Sequence, residues 1–203
     1  MCTSSAAPRS LTRYLRLGEA ALTVEFGNEV SLELHRQVRA FCLAVEAEPP
    51  PAMIELVPTY RSVTIMFDPA HEQAPRLEDQ LRAAEHRAAS IEVRPGPLHV
   101  MPVHYGGEDG LDLQDVAGLH GLTPEQVVEL HTSREYVVYA IGFTPGFTYL
   151  GGLPEELHTP RLGTPRLQVP AGSVGIGGQQ TGIYPVASPG GWRLLGRTSF
   201  ALF

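Results

Sequence analysis

From Arg13 to Val93 the apolar positions of the chain switch between two periods. In "RYLRLG" and "ALTVEFG" they fall in short, partly alternating runs parted by Gly18 and Glu19, which predicts a β-hairpin. Leu34, Val38, Phe41 and Val45 then recur at helical spacing behind Ser31, a residue suited to cap a first turn, and Pro49-Pro50-Pro51 ends that helix. "AMIELVP" and "SVTIMFD" read as two strands around Pro58-Thr59-Tyr60, and a second helix is expected from near Pro75, with Leu77, Leu81 and Ala84 on one face. Hairpin, helix, two strands and helix predict an α+β sandwich, with the helices on one face of a mainly antiparallel sheet.

The segment "VRPGPLHV", Val93 to Val100, interrupts both periods, because two prolines around a glycine favour an irregular connection. The expected division therefore puts an N-terminal α+β domain over residues 1–94 and a second domain over 95–203. There, "HVMPVHYGGEDGLDL" predicts a strand ending in a turn, followed by a helix from Asp112 over "LQDVAGL". Thr123, Pro124 and Gln126 supply the N-cap, first-turn proline and capping-box partner of another helix, and "EYVVYAIGF" reads as a strand. Between Gly142 and Gly196 stand thirteen glycines, seven prolines and only five charged side chains, with apolar runs such as "LQVP", "SVGI" and "TGIYPV" between the turns. Such text predicts short, strongly curved strands and tight loops, as in a small closed barrel.

Composition narrows the chemistry. All fifteen basic residues are arginine, so no lysine is present to act as Schiff base, general base or P-loop cation. The net charge of −7 argues against nucleic acid or an anionic membrane as partner. Cys2 and Cys42 imply neither a disulfide framework nor a zinc site, and no histidine pair has metal-ligand spacing. No apolar run reaches signal-peptide or membrane-spanning length, so a cytoplasmic protein is expected.

Four features are candidates for chemistry. "PAGSVGIGGQQTG", Pro170 to Gly182, is glycine-rich enough to aim backbone N–H groups at an anion, although tight barrel turns explain the glycines equally well. Arg161 and Arg166, with Arg193 and Arg197 later, offer planar forks for a carboxylate or phosphate, or pair with surface acids and carbonyls; for Arg193 and Arg197 the surface pairing is preferred. Among His99, His104, His120, His131 and His158, structural roles are expected, with His131 and His104 as the acid–base candidates. In "GGEDGLD", Glu108, Asp109 and Asp112 are the carboxylates, and for Asp112 a helix N-cap is the favoured role. Hydroxyls at Ser173, Thr181 and Ser188 lack a nucleophile-elbow motif.

"GFTPGFTYLGGLP", "TPRLGTPRLQVPAGSVGIGGQQTGIYPVASPGGW" and "LLGRT", with "VHYGGEDGLDL" upstream, resemble the family of 5-oxoprolinase B subunits, also called KipI (kinase A inhibitor) or allophanate hydrolase subunit 1. The resemblance implies an N-terminal α+β domain followed by a cyclophilin-like β-barrel that here lacks its last segment, since relatives continue past "LGRT". The sheet edge this would expose suits a partner or self-association. It also implies one component of a heteromeric enzyme that, with a KipA-type C component and a LamB/YcsF-type A component as partners, hydrolyses 5-oxoproline to glutamate with ATP and magnesium, the isolated chain being inactive and holding no tight cofactor. Arg161, Arg166, Ser173, Gln179, Thr181 and Tyr184 are the expected substrate-binding residues, and Phe143, Phe147, Tyr149 and Trp192 an exposed pocket wall or partner surface; no catalytic residue and no metal ligand is assigned. The alternatives are an inhibitor of a sensor histidine kinase and a carboxyltransferase-related component of urea metabolism.

Overall fold

The computed structural model describes residues 12–202, so Cys2 and Phe203 lie outside the described residues. The chain divides into two compact units, one ending at Gly96 and the other beginning at Pro97. In the first, β1 (Arg13–Arg16), β2 (Ala21–Glu25), β3 (Met53–Pro58) and β4 (Ser62–Phe67) form an antiparallel sheet of order β1-β2-β4-β3. Alternation decides which face is covered: Leu22 and Val24 on β2 and Val63, Ile65 and Phe67 on β4 are buried, while the residues between them are not. Onto that core pack α1 (Leu32–Ala47), through Leu34, Val38, Phe41 and Val45, and α2 (Leu77–Ala88), through Leu77, Leu81 and Ala84. The Ser31 side chain accepts from Leu34 N–H and starts α1 as expected. Cys42 is a free thiol in this core, and burial pushes its pKa up to about 11.

In the second unit, β5 (His104–Tyr105) is all that forms of the strand expected in "HVMPVHY". It is followed by α3 (Leu113–His120), α4 (Pro124–Thr132), β6 (Val137–Ile141), β7 (Thr148–Gly151), β8 (Arg166–Val169), β9 (Ser173–Gly177), β10 (Gln180–Ile183), β11 (Ser188–Gly190) and β12 (Arg193–Arg197). α4 carries the full capping box, with Thr123 and Gln126 each bonding the other's backbone N–H. All pairings are antiparallel, in a six-stranded sheet of order β5-β12-β9-β10-β7-β6 and a separate ribbon of β8 with β11. Bulges in β6 and β12 bend the sheet. No pairing joins β5 to β6 among the described residues, so the expected closed barrel is not found: the sheet ends on one side in a strand of only two residues.

The segment "GFTPGF" becomes two tight turns between β6 and β7. Thr144 N–H donates to Gly142 O at 2.9 Å across Phe143, whose φ of 68° makes this the rarer, strained form of γ-turn. Phe147 N–H then closes a β-turn on Thr144 O, with Pro145 and Gly146 (φ 78°) at its centre, the residues a type II turn demands.

Candidate functional site

Asp112 is the organising carboxylate of the second unit. It sits at the start of α3 and is only 3% exposed, yet its side chain does not cap the helix, contrary to expectation. The preceding loop lies along β12, where Gly106 N–H donates to Leu195 O and Asp112 N–H to Leu194 O. Gly110 permits that approach, since a Cβ there would stand 2.1 Å from Leu195 O. Drawn sideways in this way, Asp112 accepts Leu194 N–H on Oδ2 and the Arg166 guanidinium Nη2 on Oδ1, both at 2.7 Å. The other terminal nitrogen of Arg166, Nη1, is buried and has no hydrogen-bond partner among the described residues.

Around Arg166 the β8–β11 ribbon brings further groups together. Gly190 is its cross-strand partner, and a Cβ on Gly190 would stand 2.4 Å from the Tyr184 hydroxyl, so the phenol fits only because that position is glycine. Burial raises the pKa of the Tyr184 phenol, while a backbone hydrogen bond at Trp192 and the charges of Arg161 and Arg166 act in the opposite direction. Arg161 lies with its guanidinium carbon 5.8 Å from the centre of the Trp192 ring. Of the expected substrate-binding residues, Arg161, Arg166 and Tyr184 are thus neighbours. Ser173 is buried within β9 and Gln179 is exposed at the tip of the β9–β10 hairpin.

Thr181 belongs to a different network. Its hydroxyl donates to Gly175 O at 3.0 Å, so the 2.8 Å contact with His131 Nε2 requires the proton on that nitrogen. Nδ1 then accepts from the Tyr105 hydroxyl at 2.7 Å. Burial pushes His131 down to about 4 and Tyr105 up to about 12, so the imidazole is neutral and links β5, α4 and β10. Three of the other histidines have hydrogen-bond partners: His104 with Asp109 (2.8 Å), His120 with Thr159 (2.9 Å) and His158 with Leu153 O (3.2 Å). As preferred from the sequence, Arg193 and Arg197 bond carbonyls, of Pro160 and Ala171.

The expected aromatic surface is mostly core. Phe147 and Trp192 are only 2% and 4% exposed, and Phe147 contacts Tyr149, Tyr184 and Trp192 with ring centres 4.8–5.4 Å apart. Of the four, only Phe143 stands out, 63% exposed at its turn. The glycines that the sequence leaves open to a ligand-binding role make room for this cluster: a Cβ on Gly177 would meet the Trp192 indole at 2.7 Å, and one on Gly182 at 3.0 Å. The backbone of this segment is engaged in the β9–β10 ladder and in Gly172 and Gly178 N–H bonds to Tyr184 O and Thr159 O, which favours the structural role of its glycines. Asp112 does stand at the N-cap position, as its place before a helical pattern implies, but its side chain works through contacts with β8 and β12 that no local motif announces.

Among the described residues no group of three or more His, Cys, Asp or Glu is placed to hold a metal ion, and no helix is long and apolar enough to cross a membrane. Residues 12–203 match the family described as carboxyltransferase domain, subdomain C and D. The chain is similar to the 5-oxoprolinase B subunit of Bacillus subtilis (strain 168), 42% identical over 199 residues that cover 93% of this chain and 82% of the relative. To the protein of the same description from Escherichia coli O157:H7 it is 46% identical over 194 residues, 92% of this chain and 84% of the relative. The crystallised protein TTHA0988 superposes with a TM-score of 0.76 at 39% identity over 89% of this chain, which spans only 35% of that one. Kluyveromyces lactis urea carboxylase, at 22% identity and a TM-score of 0.74 over 96% of this chain and 20% of its own, shares the fold. The chain therefore belongs to the family of 5-oxoprolinase B subunits, within the carboxyltransferase subdomain C and D proteins.

Proposed function

We propose that this chain is the B subunit of an ATP-dependent 5-oxoprolinase, which opens the cyclic amide of 5-oxoproline to give glutamate. One observation carries the reading: 42–46% identity to three relatives of that description over at least 92% of the chain. The geometry supplies a compatible role. 5-Oxoproline presents a carboxylate beside its ring amide, and the guanidinium groups of Arg166, half engaged by Asp112, and of Arg161, over Trp192, suit such a carboxylate.

The phosphates of ATP and their magnesium belong, in this reading, with the KipA-type C component and the LamB/YcsF-type A component. Phosphoryl transfer works by positioning and charge neutralisation, and here Arg166 is already half engaged by Asp112 while Arg193 and Arg197 are turned to carbonyls. The isolated chain is accordingly inactive, and the assembly cytoplasmic, where ATP is. The curved sheet of the second unit is read as an opened cyclophilin-like barrel whose free edge a partner strand completes. The kinase-inhibitor alternative leaned on an exposed aromatic patch, and burial of Phe147 and Trp192 removes most of it.

Co-expression with the two partners followed by an assay of ATP-dependent glutamate release tests the reading. Activity is expected only from the complete assembly, and Arg161→Ala and Arg166→Ala are each expected to lower kcat/KM at least tenfold, the loss of one charge-assisted hydrogen bond. Equal turnover by the isolated chain, or full activity in both variants, would refute it.

A further inference from the structure

Two buried polar atoms beside this site have no hydrogen-bond partner among the described residues: Arg166 Nη1 and Ser188 Oγ. Buried donors are normally satisfied, and leaving one unmade costs more than a typical hydrogen bond gains. The ribbon places these two on the same side. Arg166 pairs with Gly190 and Val169 with Ser188 across a bulge that sets both Leu167 and Gln168 on the exposed side opposite Pro189, and along β11 the buried Ser188 and Gly190 flank the exposed Pro189. Ser188 is therefore on the inward face, 7% exposed, two residues from the glycine that holds the Tyr184 hydroxyl.

Resting on the functional reading above, we propose that Arg166 Nη1 and Ser188 Oγ together bind one carboxylate monoanion, that of the substrate, and that Asp112 is the positioning residue that fixes the arginine fork for it. Asp112 takes Nη2 at 2.7 Å and is itself locked by Leu194 N–H at 2.7 Å, so the planar guanidinium presents its second nitrogen in a set direction. The Asp112 carboxylate also cancels the Arg166 charge locally. A dianionic phosphate would meet too little positive charge and too few donors at this pair, whereas a monoanion needs one charge-assisted bond and one hydroxyl. Arg161, over Trp192, supplies the remaining long-range attraction.

Ser188→Ala separates this role from a structural one. A hydroxyl with no partner stabilises nothing, so its removal is expected to leave Tm unchanged or slightly higher while weakening the ligand. Trp192 is the only tryptophan of the sequence and reports from within the site. Titration of the purified chain with 5-oxoproline, its neutral carboxamide and inorganic phosphate, followed by Trp192 fluorescence and calorimetry, is expected to show saturable binding of the first. The other two should bind at least tenfold more weakly. Ser188→Ala is expected to raise the Kd for 5-oxoproline five- to tenfold, and to raise KM in the assembled enzyme with kcat retained; Asp112→Asn, which leaves the Arg166 charge uncancelled, is expected to narrow the preference for 5-oxoproline over inorganic phosphate. Absence of binding, equal binding of the carboxamide or of phosphate, or a Ser188→Ala variant with wild-type Kd overturns the proposal. An active assembly with unchanged KM in Ser188→Ala would sink this inference and leave the functional reading standing; a carboxylate-binding chain without glutamate release in the assembly would do the reverse.

Discussion

His131 shows at the scale of one residue why a buried imidazole here is structural. Its two nitrogens are committed to Tyr105 and Thr181, and burial holds it near pKa 4 against an ordinary 6.5. The neutral form is the one the fold stabilises, so between these values the unfolded chain binds more protons and stability rises with pH. The contribution is fully present above pH 6.5 and lost as pH falls to 4, about 3 kcal/mol in all by the free energy of a pKa unit. Urea midpoints measured from pH 4 to 7 are expected to fall steeply toward acid in the wild type and with a shallower slope in His131→Gln; equal slopes would show that the titration lies elsewhere. The sequence favours structural roles for its isolated histidines but keeps His131 as an acid–base candidate; its partners were not legible, since Thr181 is fifty residues away. Asp112 illustrates the same limit. Next to a helical pattern it reads as a cap, but its partners come from β8 and β12, 54 and 82 residues along, and only the fold introduces them.

At the scale of elements, the legible signals were the short-range ones. Ser31 and the Thr123–Gln126 box start their helices as their spacing requires, because a cap is satisfied within three residues. Thr123→Ala is expected to cost about 1 kcal/mol in chemical denaturation, the usual worth of a cap; no loss would mean that helix packing alone fixes the start of α4. The order of strands was not legible, because short, glycine-rich strands carry little period and their partners are chosen by packing. The β6–β7 hairpin combines both cases: Pro145-Gly146 announces its β-turn, while nothing in Gly142-Phe143-Thr144 announces a γ-turn with positive φ at an aromatic residue. That conformation costs about 1–3 kcal/mol in a residue other than glycine. Phe143 is largely exposed, so Phe143→Gly is expected to leave Tm level or higher. A fall of more than about 2 kcal/mol would show that its edge contact with Phe147 outweighs the strain.

For the whole molecule, the division near Gly96 separates two hydrophobic cores that share no residue. The buried core of the first unit runs from Leu22 to Ala84, and the two clusters of the second run from Leu113 to Leu195. Backbone pairing follows the same split, every ladder lying within one unit. Each unit thus has its own source of burial free energy, and every residue of the candidate site, Asp112, Arg161, Arg166, Tyr184, Ser188 and Trp192, belongs to the second. The segment between them, from Glu92 through Val103, has no regular structure. A specific protease site inserted at Gly96 is therefore expected to be cut without unfolding either half. Each separated fragment should show cooperative thermal unfolding by circular dichroism, and the C-terminal one should bind 5-oxoproline with a Kd within a few-fold of the intact chain. If the C-terminal fragment folds but loses the ligand, the first unit contributes to the site; if it unfolds, its two clusters do not make a self-sufficient core. Retention of both properties would place the chemistry of the family in the second unit and leave the α+β unit for assembly, which deletion of the first unit from the reconstituted enzyme would then expose as loss of complex formation with ligand binding intact.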